Sequence, residues 1–167
     1  SLRVSRQAGL RGGVPAGLGE LPALDYLDLS RNALDGSVPA ELAGAAALTT
    51  LFLQKNSLVG TLPPALGALG ALQDVDLSEN SFSGPLPGGV GNWTSAQSLN
   101  FDSNGLTGPL PALDALPALT IARFASNGFS GPLPGGFLVA SAAMTNMQVS
   151  FNRLSGPLPA GFATRFP

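Results

Sequence analysis

Asp74 and Asp76 stand two positions apart in Gln73-Asp74-Val75-Asp76-Leu77. On an extended strand both carboxylates project to the same side, roughly 6–7 Å apart. That spacing falls within the ~5–9.5 Å used by paired acids in glycoside hydrolysis. With Glu79 the pair also supplies oxygen ligands of the kind calcium takes. Neither chemistry finds its supports: an open strand face offers no deep pocket, and no loop is placed to wrap an ion. The chain contains no histidine and no cysteine. This removes the commonest general base, the thiolate nucleophile, disulfides, and Cys-based zinc or iron–sulfur sites. The expectation is a non-enzyme without cofactor or metal. Eight basic and ten acidic residues give a net charge of −2, which is not the footprint of a nucleic-acid binder. No apolar run is long enough to span a bilayer, and Ser1-Leu2-Arg3-Val4 does not open like a signal peptide.

The elements that carry these acids follow from a repeat. Asn32, Asn56, Asn80, Asn104, Asn127 and Asn152 fall 24, 24, 24, 23 and 25 residues apart. Gly36, Gly60, Gly84, Gly108, Gly131 and Gly156 keep the same steps, as do Pro39, Pro63, Pro87, Pro111, Pro134 and Pro159. The register explains how 22 glycines and 15 prolines coexist with 44% hydrophobic residues, a composition too apolar for a linker. Before each Asn lies an alternating apolar pair: Leu27/Leu29, Leu51/Leu53, Val75/Leu77, Leu99/Phe101, then less tidily Ala122/Phe124 and Met147/Val149. Such alternation is a short strand with one apolar face. Strands recurring at this interval bury that face by stacking into a parallel sheet, and no turn can do so alone. A degenerate seventh copy opens the chain, with Leu2/Val4 as its strand pair, Leu10, Gly12, Val14 and Pro15 in later positions, and Gln7 or Ala8 in place of Asn. Irregular lengths fall between strands, one residue short in Pro111–Leu119 and one long in Phe137–Met144.

The pattern L-x-x-L-x-L-x-x-N-x-L-x-G-x-(V/L)-P-x-x-L resembles the plant-type leucine-rich repeat. Residues 28–39 are one full statement of it, and Gly-Pro-Leu-Pro recurs at 84–87, 108–111, 131–134 and 156–159. The resemblance implies an α/β solenoid, a right-handed superhelix with a parallel sheet on its concave face. It has about 24 residues per repeat, with six clear repeats and the degenerate one forming a single domain over residues 1–167. It also implies a second short-strand segment near L-x-G-x-(V/L)-P. In this family such chains form ectodomains of receptor-like kinases and receptor-like proteins, or secreted inhibitors of pathogen cell-wall enzymes.

The repeated positions are expected to serve the fold. The six Asn form a structural ladder, because an amide with two donors and an acceptor can satisfy the turn after each strand. Gly permits a special backbone angle, and Pro sits where no donor is needed. PxxP ligand motifs are a poor alternative for prolines that obey the repeat register. Trp93 aligns with Leu69 and Leu116 and is expected in the core. Asn92-Trp93-Thr94 is the one N-x-[ST] sequon, and Asn92 is expected to point outward as a glycosylation site.

Function is left to the variable strand-face positions. Tyr26, Asp28, Phe52, Lys55, Asp74, Asp76, Glu79, Asn100, Asp102, Arg123 and Gln148 are the candidate partner-binding residues. Aromatics in a mildly acidic polar field suit a protein or peptide partner. The expected function is therefore a non-catalytic recognition scaffold, part of an extracellular receptor-like or secreted protein. A structural subunit of a larger assembly is the alternative. Ice binding ranks third, because the column Ser30, Gln54, Ser78, Asp102, Ala125 and Ser150 is too mixed for a regular hydroxyl array. The resemblance further implies Cys-bearing caps, which this chain lacks. It is thus expected to be an internal segment, its open ends covered by flanking repeats, caps or partner subunits.

Overall fold

A computed structural model describes residues 1–7, 9–135 and 143–159. Ala8, most of the lengthened connection 137–144 and the closing stretch 162–167 lie outside the described residues.

Each turn contributes a strand just before its Asn position. These are β1 (Leu2–Arg3), β3 (Tyr26–Asp28), β5 (Thr50–Phe52), β7 (Asp74–Asp76), β9 (Ser98–Asn100), β11 (Ile121–Arg123) and β13 (Asn146–Gln148). They form one parallel sheet in the order β1-β3-β5-β7-β9-β11-β13. Its register is one-to-one: Leu2, Leu27, Leu51, Val75, Leu99, Ala122 and Met147 stand in a single row. Two residues further on, Leu29, Leu53, Leu77, Phe101 and Phe124 are all buried. Each donates its N–H to the neighbouring turn at 2.7–2.9 Å, as Leu53 does to the Asp76 carbonyl at 2.9 Å. The two rows make the stacked core that the L-x-L alternation requires. Where Ala122 leaves space, Phe124 stacks on Phe101 with ring centroids 5.5 Å apart and meets Phe129 edge-on at 5.9 Å.

A second strand follows each Asn position: β2 (Arg11–Gly12), β4 (Ala33–Leu34), β6 (Val59–Gly60), β8 (Ser81–Pro85), β10 (Gly105–Gly108), β12 (Gly128–Gly131) and β14 (Arg153–Leu154). They pair as a five-stranded sheet, β14-β12-β10-β8-β6, and a two-stranded one, β2-β4. The return path in the first turns is a five-residue 3-10 helix after a proline: Ala16–Glu20, Ala40–Gly44, Pro64–Ala68 and Gly88–Asn92. Among the described residues no α-helix forms, because each return offers one buried side chain, Leu18, Leu42, Leu66 or Val90, in too few residues for α-turns. Trp93 fills the core after the fourth such turn. It is 1% exposed, and its indole N–H donates to the Leu66 carbonyl at 2.9 Å.

The Asn side chains run between the two sheets. The Asn80 Nδ2 donates to the carbonyls of Leu53, one turn back, and Leu77, in its own turn, at 3.0 and 3.2 Å. Its Oδ1 accepts the Leu58 N–H at 3.1 Å. Asn56, Asn104, Asn127 and Asn152 repeat this arrangement, and Asn32 does so with Val4, Leu29 and Gln7.

Candidate recognition face

Residues alternate across a strand, so burying Leu27, Leu51 and Val75 turns their neighbours to the opposite face. The one-to-one register arranges those neighbours in rows. One reads Tyr26, Thr50, Asp74, Ser98, Ile121, Asn146; the next reads Arg3, Asp28, Phe52, Asp76, Asn100, Arg123, Gln148. Seven of the sequence-derived candidates other than Asp28 thus share two adjacent rows: Tyr26, Phe52, Asp74, Asp76, Asn100, Arg123 and Gln148. Asp102 lies in the following row, its carboxylate accepting the Ala125 N–H.

Lys55 and Glu79 sit on the rim, where they form an ion pair at 2.8 Å. The calcium alternative loses its third ligand to that pair, and among the described residues no three acidic side chains are grouped to hold a metal. Asn92 is exposed at the end of a 3-10 helix, away from the strand face.

Asp28 departs from the open position expected of it. It is 4% exposed, with Oδ2 accepting from the Arg3 Nε at 3.1 Å and Oδ1 from the Ser30 hydroxyl and N–H at 2.6 and 3.0 Å. The first turn covers it and Ser30 claims it, so it holds the face rather than presenting itself. Burial works against ionisation of Asp28, but the Ser30 and Arg3 contacts outweigh it and keep the carboxyl below its ordinary pKa. Asp76 makes the same link to Ser78, at 2.6 and 3.0 Å. Asp102 goes the other way. Burial, aided by the Asp76 charge, raises its pKa against the opposing pull of the Ala125 N–H and Arg123.

Three features of this face were not read from the sequence. Tyr26 and Phe52 meet edge-to-face with centroids 6.0 Å apart, and the Arg3 guanidinium lies 5.6 Å over the Tyr26 ring. The residue before each Asn position adopts a left-handed backbone, with φ between 52° and 60° at Arg6, Arg31, Lys55, Glu79, Ser103, Ser126 and Phe151. Left-handed positions favour Gly, Asn or Asp, and none of these seven is such a residue, so residue type carried no signal. The Asp-x-Ser links at 28/30 and 76/78 did have one, since short polar side chains two apart commonly bond in this way.

Three segments, residues 23–45, 47–69 and 71–93, match the family model described as Leucine Rich Repeat. Among solved structures, the plant peptide hormone receptor RGFR1 in complex with RGF2 superposes with a TM-score of 0.91 at 28% identity, over 95% of this chain and 25% of that one. A TDR receptor gives 0.91 at 32% identity, over 98% of this chain and 29% of that one. A plant ice-binding protein gives 0.72 at 27% identity, over 95% of this chain and 58% of that one. The chain therefore spans about a quarter of the length of the two receptors it matches. No curated protein matches it in sequence.

Proposed function

The chain is a leucine-rich-repeat protein of the plant type, and we propose that it is a non-catalytic scaffold that recognises a peptide or protein segment across its strand face. The observation that carries this reading is the contrast between fixed and varied positions. The core rows, the Asn ladder and the special-angle glycines recur turn after turn. The rows facing away from them hold Tyr, Phe, Asp, Asn, Arg and Gln with no repeat. An extended segment laid across the strands meets a new side chain roughly every 4.8 Å, which lets a regular backbone encode an irregular partner. The aromatic pair supplies an anchor and the acids supply register. The RGFR1 neighbour, solved with RGF2, supports a peptide as the partner class.

The same reading places the chain outside the cell, as part of a receptor-like or secreted protein, with Asn92 carrying a glycan. Selection from a random-peptide display library tests the recognition role. Binders are expected on the wild type and lost on Phe52→Ala/Asp76→Ala; a library that yields no saturable binder overturns it. For Asn92, natively produced protein is expected to lose mass on glycosidase treatment and to keep its mass when Asn92 is replaced by Gln.

A second reading has one observation in its favour. The plant ice-binding neighbour shares the fold, and the five-stranded sheet exposes Ser81, Ser83, Thr107 and Ser130. These hydroxyls form no row, since Ser81 pairs with Val59, Ser83 with Gly105, Thr107 with Pro85 and Gly128, and Ser130 with Arg153, so thermal hysteresis is expected to be absent; a measurable freezing gap would reverse that order of preference.

A further inference from the structure

Four return paths share one spacing, two residues between a proline and a buried apolar side chain: Pro15 and Leu18, Pro39 and Leu42, Pro63 and Leu66, Pro87 and Val90. In each, the apolar residue donates its N–H to the carbonyl of that proline at 3.1–3.2 Å, closing a 3-10 turn. The fifth return reads Pro111-Ala112-Leu113, one residue short. Leu113 still reaches the core, 1% exposed. The three-residue bond cannot close, however, and no 3-10 helix follows Gly88–Asn92 among the described residues of that return. The earlier helices pack tightly on one another: a Cβ added at Gly67 would lie 2.7 Å from the Gly89 Cα. On its far flank the fourth helix has no such neighbour.

A hollow of about 350 Å³ lies there, walled by Leu86, Pro109, Leu110 and Pro111, with Asn92 and Asp114 as its polar side chains. Its size is at the small end of ligand sites, roughly 300–1,000 Å³. Asp114 is exposed and enters no ion pair among the described residues. Asn92 belongs to the one N-x-[ST] sequon of the chain. The helix end that carries it is fixed by Trp93, buried and bonded through its indole N–H to the Leu66 carbonyl. The acceptor sequon and the shortened return are independent departures from the repeat, and the fold brings them to one place.

The sugar ring that joins an asparagine amide has an apolar face of C–H groups, an acetamido methyl and a rim of hydroxyls. Proline and leucine side chains suit the first two, and the Asp114 carboxylate accepts a charge-assisted bond from the third. No cation lines the hollow, so an anionic ligand would meet Asp114 without compensation. A free apolar side chain would leave Asp114 unused and would compete with a group already tethered on the wall. Attachment at Asn92 supplies an effective concentration in the millimolar range or above, so a contact too weak to hold a free sugar holds an attached one.

We propose that this hollow seats the first sugar of a glycan carried by Asn92, its apolar face on Pro109, Leu110 and Pro111 and a hydroxyl on Asp114, in the space that a fifth helical turn would fill. The assignment rests on the glycosylation of Asn92 proposed above and deepens it, making that sugar a structural part of the fifth coil.

The test uses the full chain secreted from a glycosylating host in three forms: with its whole glycan, trimmed by an endoglycosidase to a single sugar, and as Asn92→Gln. Hydrogen exchange over residues 109–115 and the melting temperature are the readouts. The single-sugar form is expected to match the whole-glycan form. Relative to Asn92→Gln, both should exchange about tenfold more slowly at Leu110, Ala112 and Leu113 and melt about 2–4 °C higher. Asp114→Ala should remove much of that difference when the sugar is present and change nothing in Asn92→Gln. Moving the sequon one turn back, as Ala68→Asn/Gly70→Thr in the Asn92→Gln background, places a glycan on a helix that already has its neighbour and should leave 109–115 unprotected. A single-sugar form indistinguishable from Asn92→Gln, an Asp114→Ala effect independent of the sugar, or equal protection from the moved sequon overturns the proposal. Natively produced protein without any sugar on Asn92, seen by mass, overturns the glycosylation reading and this seat together. A glycan present on Asn92 that leaves 109–115 unprotected overturns the seat alone.

Discussion

In the seven-stranded sheet every residue pairs with its own counterpart one turn on, Leu27 with Leu51 and Asp28 with Phe52. In the five-stranded sheet the third residue after one Asn pairs instead with the first after the next: Val59 with Ser81, Ser83 with Gly105, Thr107 with Gly128. The chemistry of the two faces follows that difference. The in-register sheet carries Tyr, Phe, Arg and acids, each beside a different neighbour. The sheared sheet carries mostly small residues at these pairings, Val59 and Arg153 apart. A Cβ added at Gly105 or Gly128 would lie 3.1 Å from the carbonyl oxygen of Phe82 or Leu106, and the glycines that follow need positive φ, from 72° at Gly84 to 84° at Gly156. One sheet is therefore free to vary and the other is held by backbone geometry.

The largest effect that sharpens this contrast is expected on the sheared side. Gly84→Val places a β-branched residue at φ 72° with its Cβ 2.8 Å from the Thr61 methyl carbon. It should cost about 2–4 kcal/mol in urea unfolding followed by circular dichroism. Ser98→Ala, on the in-register face, should stay within about 0.5 kcal/mol, and equal losses would erase the distinction.

Next comes the seam between the sheets. Asn80→Ala orphans the Leu58 N–H and leaves the Leu53 and Leu77 carbonyls with one Asn donor each, from Asn56 and Asn104, and should destabilise by about 1–3 kcal/mol. An unchanged melting temperature would remove the ladder from the account of stability.

The in-register face is expected to divide by pH. The Asp28 carboxyl has a folded-state pKa below the ordinary aspartate value of 3.8. Its charge therefore stabilises fully above that value, and the contribution is lost as pH falls through the depressed folded one. Asp28→Asn should cost about 1–3 kcal/mol at neutral pH and progressively less in acid. Asp102 is raised above 3.8, so stability declines as pH climbs from 3.8 through the higher folded value. Asp102→Asn, which keeps an oxygen for the Ala125 N–H, should stabilise at neutral pH and have no effect below that window. Parallel pH profiles for the two variants would contradict the opposite environments assigned to them.

The smallest effect is at the rim. Ser126→Gly relieves a left-handed angle of 56° and should gain up to about 1 kcal/mol, the relief being partly offset by the greater freedom of Gly in the unfolded chain. A loss instead would mean that the rim angle carries no strain.

The strands, their common apolar face and the place of Trp93 were legible because they rest on periodicity and residue type, which every copy restates. The second strands were expected only through the family resemblance, and their shear was not expected, since a two-residue offset leaves no mark on composition. Asp28 was misplaced for a related reason. Its burial depends on Arg3 from the turn before, and no local pattern announces a side chain arriving from 25 residues away. The rim angles stayed hidden because Arg31, Lys55, Glu79 and Phe151 are all poor choices for the conformation they adopt. From Arg31 onward the polar closure around the following Asn accompanies that angle in each copy, whatever the residue.

The reach of those Asn side chains has a dynamic consequence. Each one satisfies groups on its own turn and on the turn behind it, so an interior turn cannot swing open to solvent without stranding polar groups on its neighbour. Amide exchange near Leu53, Leu77 and Phe101 should then require opening of several coils together. Protection is expected to rise toward the middle of the stack in one broad block, with no interior coil exchanging on its own.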